Sequence, residues 1–172
     1  MRIYLLGFMG SGKSSQGKKL ASKLGYKFLD TDQMIEKASN AKISEIFRDK
    51  GESWFRDMEA DVLRATVLYP DAVIACGGGT PCYFNNMQWM LARGVTIYMQ
   101  QPAERLFGRL KSRKAKRPLI AGMDDAALKN YIIEKLSQRN YFYQKAHHTV
   151  DLSEHGVKDI LEMLEQQYGQ LR

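Results

Sequence analysis

Residues 7–14 constrain this chain more than any other stretch: they spell Gly-Phe-Met-Gly-Ser-Gly-Lys-Ser and match G-x-x-x-x-G-K-[ST] at every fixed position. Glycines permit positive φ, so backbone N–H groups can turn inward and line a concavity for an anion. The apolar run 3–6 precedes the motif, and a helical spacing of small and apolar residues follows it as far as Leu24. A strand, this loop and a helix N-terminus together predict a phosphate-binding loop. In it Lys13 reaches the β- and γ-phosphates of a nucleotide, and the Ser14 hydroxyl ligates Mg²⁺.

The alternative interpretation is a glycine-rich turn that matches by accident. At ordinary glycine, lysine and serine abundance, a chain of this length would show the pattern less than about once in a hundred times. Nucleotide binding is therefore predicted, although the motif identifies neither the acceptor nor the reaction.

Length and composition predict one soluble domain spanning residues 1–172, with 44% hydrophobic residues to build a core. No apolar run approaches the roughly 20 residues of a membrane helix, and Met1-Arg2 leads directly into a strand rather than a signal peptide, so we expect a cytoplasmic protein without a membrane partner. Cys76 and Cys82 have the spacing of neither a disulfide framework nor a zinc pair, and the three histidines lack metal-ligand spacing.

The net charge of +7 is concentrated in one place. Six basic residues occupy positions 109–117 without an acidic residue among them: Arg109, Lys111, Arg113, Lys114, Lys116 and Arg117. Such a cluster favours a local polyanion, for which ATP suffices, over nucleic acid bound along a whole face; a solvated basic loop is the alternative. With its charge and low apolar content, the segment of about 112–123 is expected to be a mobile lid.

Alternating strand and helix patterns predict a doubly wound α/β fold with a five-stranded parallel sheet flanked by helices. The predicted strands are 2–6, 26–29, 73–76, 95–99 and 148–152. The predicted helices are 14–24, 43–50 with a cap at Ser44, one starting at 52, 84–92, 103–110, 124 to about 139, and 157–168.

Two carboxylates, Asp30 and Asp32, follow the second predicted strand at the sheet edge where α/β proteins bind ligands. One is expected to serve Mg²⁺ through its water shell and the other the acceptor hydroxyl. Helix capping before Met34-Ile35 is the alternative for both carboxylates, and for Asp32 in particular. The third strand lacks the terminal aspartate of a Walker B motif, which shifts the metal role toward Asp30 and Ser14.

Three consecutive glycines, Gly77 to Gly79, end the third predicted strand and indicate that a ligand approaches bare backbone. A tight turn is the alternative, but it ordinarily needs one or two glycines. Arg56 and Glu59 lie three apart on a predicted helix and would usually form an inconsequential surface ion pair. The aromatic residues around them, Phe47, Trp54 and Phe55, favour the wall of a pocket instead.

Taken together and in this order, these motifs resemble those of the shikimate kinases, a family with the nucleoside monophosphate kinase-like P-loop fold. The matching pieces cover nearly the whole chain: residues 7–14, 30–32, Phe55-Arg56 with Glu59, 77–79, 117–119, and Arg139 with Tyr143. The resemblance implies transfer of a phosphoryl group from ATP to the 3-hydroxyl of shikimate, within chorismate and aromatic amino acid biosynthesis.

The resemblance also implies the roles of individual residues. Nucleotide and Mg²⁺ contacts fall on Gly10, Ser11, Gly12, Lys13, Ser14, Ser15, Arg113 and Arg117, with Asp30 joining Ser14 at the metal. Shikimate contacts fall on Asp32, Arg56, Gly78, Gly79 and Arg139, within an acceptor-binding region of about 32–60 and the glycine segment. Lys13, Asp32 and Arg117 are the catalytic candidates, and the protein is expected to be a monomer. Adenine contacts stay open, because the stacking arginine is either Arg109 or Arg113 and residues 153–156 lack the proline that the family often has there.

Two other classes of function remain as alternatives. One is another small-molecule kinase of this fold, such as a gluconate kinase or a nucleoside monophosphate kinase. The other is a non-catalytic regulatory or nucleic-acid-binding protein that merely holds ATP. The triple glycine and the combination of two aspartates with two arginines favour the shikimate kinase prediction over both.

Overall fold

The structure, a computed structural model, describes residues 1–112, 114 and 117–169. Its centre is a five-stranded sheet in the order β2-β3-β1-β4-β5, and every pairing is parallel. The strands are β1 (Arg2–Leu6), β2 (Lys27–Asp30), β3 (Ala72–Ala75), β4 (Val95–Gln100) and β5 (His148–Asp151). The predicted strand number and the parallel direction are confirmed.

Eight α-helices lie within the described part of the chain. They are α1 (Lys13–Leu24), α2 (Thr31–Ser39), α3 (Ile43–Asp49), α4 (Gly51–Ala65), α5 (Asn86–Leu91), α6 (Ala103–Lys111), α7 (Asp125–Tyr143) and α8 (Val157–Tyr168). Short 3₁₀ turns cover Thr66–Leu68, Thr80–Cys82 and Pro118–Ile120. None of the described helices is long and apolar enough to cross a membrane.

Two apolar layers cover the two faces of the sheet. On one face Ile3, Leu5 and Met99 pack with side chains of α1 and α8. On the other face Tyr4 and Leu6 pack with residues of α4, α5 and α7. Burial on both faces explains why β1 is an unbroken apolar run rather than an alternating one.

Three helix boundaries differ from the prediction for identifiable reasons. The cap residue of α3 is Lys42 instead of Ser44, because the backbone N–H of Lys42 already donates to the Glu45 carboxylate at 2.7 Å. Helix α5 starts two residues late because Phe84 has φ +49°, which no right-handed helix tolerates. Helix α7 continues to Tyr143, one turn beyond the predicted end at Arg139. Arg139 and Tyr143 thus share one helix face.

Helix α2 was not predicted, although its capping group was noticed. The Asp30 carboxylate accepts hydrogen bonds from the backbone N–H groups of Asp32 and Gln33, at 3.1 and 3.4 Å. It therefore satisfies two of the unpaired donors that open a helix. Of the two carboxylates for which helix capping is the alternative, Asp30 is the one that caps α2.

The predicted lid is partly described. Residues 113, 115 and 116 lie outside the described residues, so the expected role of Arg113 cannot be placed. Ile120 is 1% exposed and packs in an apolar cluster with Phe8, Leu110 and Leu128. Ile120 thus anchors this part of the segment in the apolar cluster, and the mobility of the lid stays a prediction.

Candidate active site

Loops that leave the carboxyl ends of the parallel strands build one edge of the sheet, where α/β proteins place their ligands. The loop after β1 winds through positive φ at Gly10 (79°) and Gly12 (106°), as predicted for a phosphate-binding loop. A cleft of about 690 Å³ opens over it and is lined by Gly10 to Ser15 together with Asp30, Asp32, Arg109 and Arg117.

Lys13 is 8% exposed and its ammonium donates to the backbone carbonyls of Gly7 and Phe8, at 2.7 and 2.9 Å. Burial lowers the pKa of Lys13 to about 8, and the nearby Asp32 carboxylate opposes that shift. The ammonium is thus held within the loop, next to the concavity that a phosphate would occupy.

Ser14 and Asp30 form a direct pair at one side of the cleft. The Ser14 hydroxyl donates to Asp30 Oδ2 at 2.7 Å, and the other Asp30 oxygen caps α2. A hydroxyl and a carboxylate oxygen are ligands that Mg²⁺ accepts, and it ordinarily completes its shell with water and phosphate oxygens. The described residues contain no group of three or more His, Cys, Asp or Glu side chains that would hold a metal by themselves.

A second cavity of about 360 Å³ adjoins the first. Asp32 and Arg117 line both, together with Met9, Gly77 and Gly78. Asp32 remains open to solvent on one side, but protein atoms remove much of its hydration. That loss raises the pKa of Asp32 to about 6, aided by the negative charges of Asp30 and Glu59.

Arg56 forms one wall of the second cavity and is only 6% exposed. Its guanidinium donates to Glu59 at 2.8 Å and to Glu52 at 2.9 Å, and it lies 4.1 Å from the ring centroid of Tyr83. The pair with Glu59 is buried, so the usual interpretation as a surface ion pair is wrong. Phe47 and Phe55 line the second cavity as predicted for a pocket wall, whereas Trp54 is not among its lining residues.

The triple glycine is needed because charged side chains press against it. A Cβ atom on Gly77 would lie 2.6 Å from Glu59 Oε1, and one on Gly79 would lie 2.6 Å from Arg56 Nη1. Neither glycine has a positive φ. The turn geometry alone therefore does not require glycine here, whereas close approach of the chain's own site residues does.

Arg139 faces the glycine segment from α7. Its guanidinium would lie 3.1 Å from a Cβ atom on Gly78, and it lines the second cavity. One turn further on, the Tyr143 hydroxyl donates to the Gly78 carbonyl at 2.5 Å. Because α7 continues to Tyr143, the same helix carries Arg139 and holds the Gly78 backbone that Arg139 contacts.

Of the two arginines considered for the base, Arg109 is placed at the nucleotide cleft. Its guanidinium donates to the carbonyls of Gly10 and Ser11, at 3.1 and 3.2 Å. A Cβ atom on Gly12 would lie 3.6 Å from it and 3.7 Å from Leu152. Arg109 and Leu152 both line this cleft.

Two buried threonines were not singled out from the sequence. Thr31 accepts a hydrogen bond from the backbone N–H of Gly77 at 3.0 Å, and Thr80 donates its hydroxyl to Glu59 at 2.6 Å. No spacing rule reveals them, because each bond joins segments 21 or more residues apart. Glu59 is buried in a helix, and a buried carboxylate requires hydrogen-bond donors. A prediction that Glu59 is buried would therefore have indicated that donors such as the Thr80 hydroxyl lie nearby.

The arrangement has two anion-binding halves that meet at Asp32 and Arg117. One half presents backbone N–H groups and an ammonium, and the other presents two guanidinium groups and a carboxylate. Such a site suits transfer of a phosphoryl group from a nucleotide to a hydroxyl of an anionic acceptor.

Comparison with known proteins decides the family. A sequence model described as shikimate kinase matches residues 9–168. The chain belongs to the shikimate kinase family. Shikimate kinase from Parabacteroides distasonis is 40% identical over 92% of this chain and 94% of its own length. Shikimate kinase from Flavobacterium johnsoniae is 40% identical over 95% of this chain and 98% of its own length.

Solved shikimate kinases have the same fold. The crystal structure from Bacteroides thetaiotaomicron gives a TM-score of 0.88 at 34% identity and covers 96% of this chain and 97% of its own. The enzyme from Acinetobacter baumannii, in complex with shikimate, gives 0.86 at 32% identity and covers 96% and 91%. A deoxyadenosine kinase with a TM-score of 0.58 and 15% identity shares only the fold, which is that of the nucleoside monophosphate kinases.

Proposed function

We propose that this chain is a shikimate kinase that transfers the γ-phosphoryl group of ATP to the 3-hydroxyl of shikimate, giving ADP and shikimate 3-phosphate. The observation that carries the proposal is the pair of adjoining cavities that share Asp32 and Arg117. The family membership supports it, since the relatives described above are named shikimate kinases.

The nucleotide half binds the triphosphate of ATP. Backbone N–H groups of residues 10–15 and the dipole of α1 meet the phosphates, and Lys13 neutralises charge that develops toward the leaving oxygen. Arg109 and Leu152, which also line the cleft, border the space for the adenine base.

The acceptor half orients shikimate by its ends. Arg56 and Arg139 are the guanidinium groups that would receive the carboxylate, and such charge-assisted pairs fix direction as well as position. Gly78 and Gly79 let the ring approach the backbone between them. The 3-hydroxyl then points at Asp32 on the shared wall.

In the transfer step, the 3-hydroxyl oxygen attacks the γ-phosphorus in line with the bond to the β-phosphate. Asp32 accepts the hydroxyl hydrogen bond and receives the proton as the new O–P bond forms. ADP leaves with the electron pair of the broken bond. Lys13 and Arg117 stabilise the negative charge on the transferring group.

Magnesium fits the pair formed by Ser14 and Asp30. The Ser14 hydroxyl would be a direct ligand, and Asp30 would hold a metal-bound water, because Asp30 also caps α2. When bound there, the metal would neutralise part of the negative charge of the phosphates.

The test is a coupled ADP-release assay with shikimate, gluconate and AMP as separate acceptors. Turnover is expected with shikimate alone, and ³¹P spectra should show a phosphate ester at the 3-position. Asp32→Asn is expected to lower kcat by roughly 10²-fold or more, since it removes proton acceptance. Equal turnover with gluconate or AMP, or none with shikimate, would overturn the proposal.

A further inference from the structure

Glu59 is a buried carboxylate with one donor on each oxygen. It is 1% exposed; Oε2 accepts from Arg56 at 2.8 Å and Oε1 accepts from the Thr80 hydroxyl at 2.6 Å. A buried charge of this kind is tolerated only while its oxygens are hydrogen-bonded. Removing the hydroxyl would leave Oε1 without that donor.

Thr80 is itself held rigidly. It is fully buried, and its carbonyl accepts a hydrogen bond from Asn86 Nδ2 at 2.9 Å. Asn86 is also fully buried and its Oδ1 accepts from Arg64 at 2.8 Å. The 3₁₀ turn that carries the threonine is therefore tied to α4 and α5.

The surroundings leave Glu59 little room to move. A Cβ atom on Gly77 would lie 2.6 Å from Glu59 Oε1 and 3.0 Å from Thr80 Oγ1. On the other side, a Cβ atom on Gly79 would lie 2.6 Å from Arg56 Nη1, which is too close for any residue other than glycine. The Thr80 hydroxyl thus holds one oxygen of Glu59, whose other oxygen holds Nη1 of Arg56. Glu52 holds Nε and Nη2 of the same guanidinium, so Glu59 fixes the Nη1 side of Arg56.

We propose that Thr80 is a positioning residue for acceptor recognition, acting through Glu59 to aim Arg56 at the carboxylate of the acceptor. The inference rests on the proposed function, because it takes the acceptor of the second cavity to be a carboxylic acid. Thr80 itself touches neither substrate. Its effect is on the affinity for the acceptor and on the preference for a charged carboxylate.

The experiment compares shikimate with its methyl ester, which lacks the charge, in wild-type protein and in Thr80→Val and Thr80→Ser. Valine keeps the shape and loses the donor; serine keeps the donor. Calorimetric titration measures both dissociation constants without turnover, and steady-state assays add KM and kcat. Thr66→Val is the matched control, because Thr66 is fully buried, has a hydrogen-bonded hydroxyl and lines neither cavity.

Thr80→Val is expected to weaken shikimate binding roughly 10- to 100-fold, in the range of a lost hydrogen bond to a charged group, and to leave KM for ATP within about twofold. The ester should lose much less affinity, so the preference for the acid shrinks. Thr80→Ser should restore the preference for the acid over the ester, and Thr66→Val should leave that preference unchanged.

Equal weakening of acid and ester, or no change in either, would overturn the proposal and assign Thr80 a purely structural role. If Thr80→Val does not fold, Thr80→Ala and Thr80→Ser form a second pair that differs by the hydroxyl alone. Failure of the transfer reaction in the wild-type protein would refute the proposed function and leave the binding comparison readable.

Discussion

The pKa values of Asp32 and Lys13 lie unusually close together, at about 6 and about 8. Asp32 must be ionised to accept a proton, and Lys13 must be charged to hold phosphate. We therefore expect kcat/KM to follow a bell-shaped pH profile that falls below about pH 6 and above about pH 8. Because the two groups interact, the apparent values belong to the pair.

Initial rates between pH 5 and pH 10 at low substrate concentration measure this profile. In the residual activity of Asp32→Asn, kcat/KM should no longer fall below about pH 6 but should still fall above about pH 8. A profile that is flat from pH 5 to pH 7 in the wild-type protein would contradict the assignment of Asp32 as the proton acceptor.

Lys13→Met should lose at least about 100-fold in kcat yet stay folded, since a methionine keeps the apolar stem and removes the charge. The sign of the stability effect follows from linkage. Below pH 8 Lys13 is protonated in both the folded and the unfolded protein. Between pH 8 and about 10.4 only the unfolded chain keeps the proton on Lys13. The contribution of Lys13 to the free energy of unfolding therefore rises with pH over this range.

Urea unfolding of both proteins at pH 7 and pH 10 isolates this contribution. The free energy of unfolding of the wild-type protein relative to Lys13→Met should increase by on the order of 2 kcal/mol over that range. A difference that stays constant or decreases would show that the ammonium is not desolvated in the free protein.

Single residues differ in how far the sequence determines their roles. The spacing of residues 7–14 is enough to predict the roles of Lys13 and Ser14, because the motif is local. Asp30 and Asp32 were recognised together, but only the start of α2 decides that Asp30 is the cap. The bond between Thr80 and Glu59 depends on β3 and α4 meeting in space, which local sequence patterns do not contain.

The segment that links β3 to α5 shows the same contrast for whole elements. Three glycines predicted that a ligand approaches the backbone, which stays a prediction; the structure shows close approach by the chain's own side chains. The partners are Glu59, Arg139 and Arg56, which come from two helices distant in sequence. Helix α2 was missed because Ile35 is its one fully buried apolar residue, so its pattern has no clear apolar stripe.

Gly79→Ala should raise KM for shikimate by roughly tenfold or more while leaving KM for ATP nearly unchanged. The added methyl group would lie 2.6 Å from Arg56 Nη1, so the guanidinium must shift. Gly122→Ala is the control, because a Cβ atom there meets nothing within 4 Å. Steady-state kinetics on both variants measure the split, and equal effects on the two substrates would contradict it.

At the scale of the whole molecule, the positive charge is unevenly distributed. Six of the seven net charges fall within residues 109–117, and Arg109 and Arg117 line the nucleotide cleft. A field of this kind attracts a polyanion and is screened over about 10 Å at 0.1 M salt.

KM for ATP is accordingly expected to rise several-fold between 0.05 M and 0.5 M potassium chloride, and more steeply than KM for shikimate, which has a single charge. Sucrose at equal osmolality controls for effects other than screening. A KM for ATP that does not change with salt would show that the basic segment does not attract the nucleotide.

The crowding around Gly77 limits how this enzyme can be re-engineered. Its α-hydrogen occupies a space bordered by Glu59, Thr80 and Asp32, with every one of them within 3.1 Å of where a methyl group would stand. Substitutions at Gly77 are therefore not expected to yield variants that accept larger or uncharged acceptors. Gln33, Ser44 and Phe47 also line the second cavity, and substitutions there are the ones we expect to change acceptor specificity.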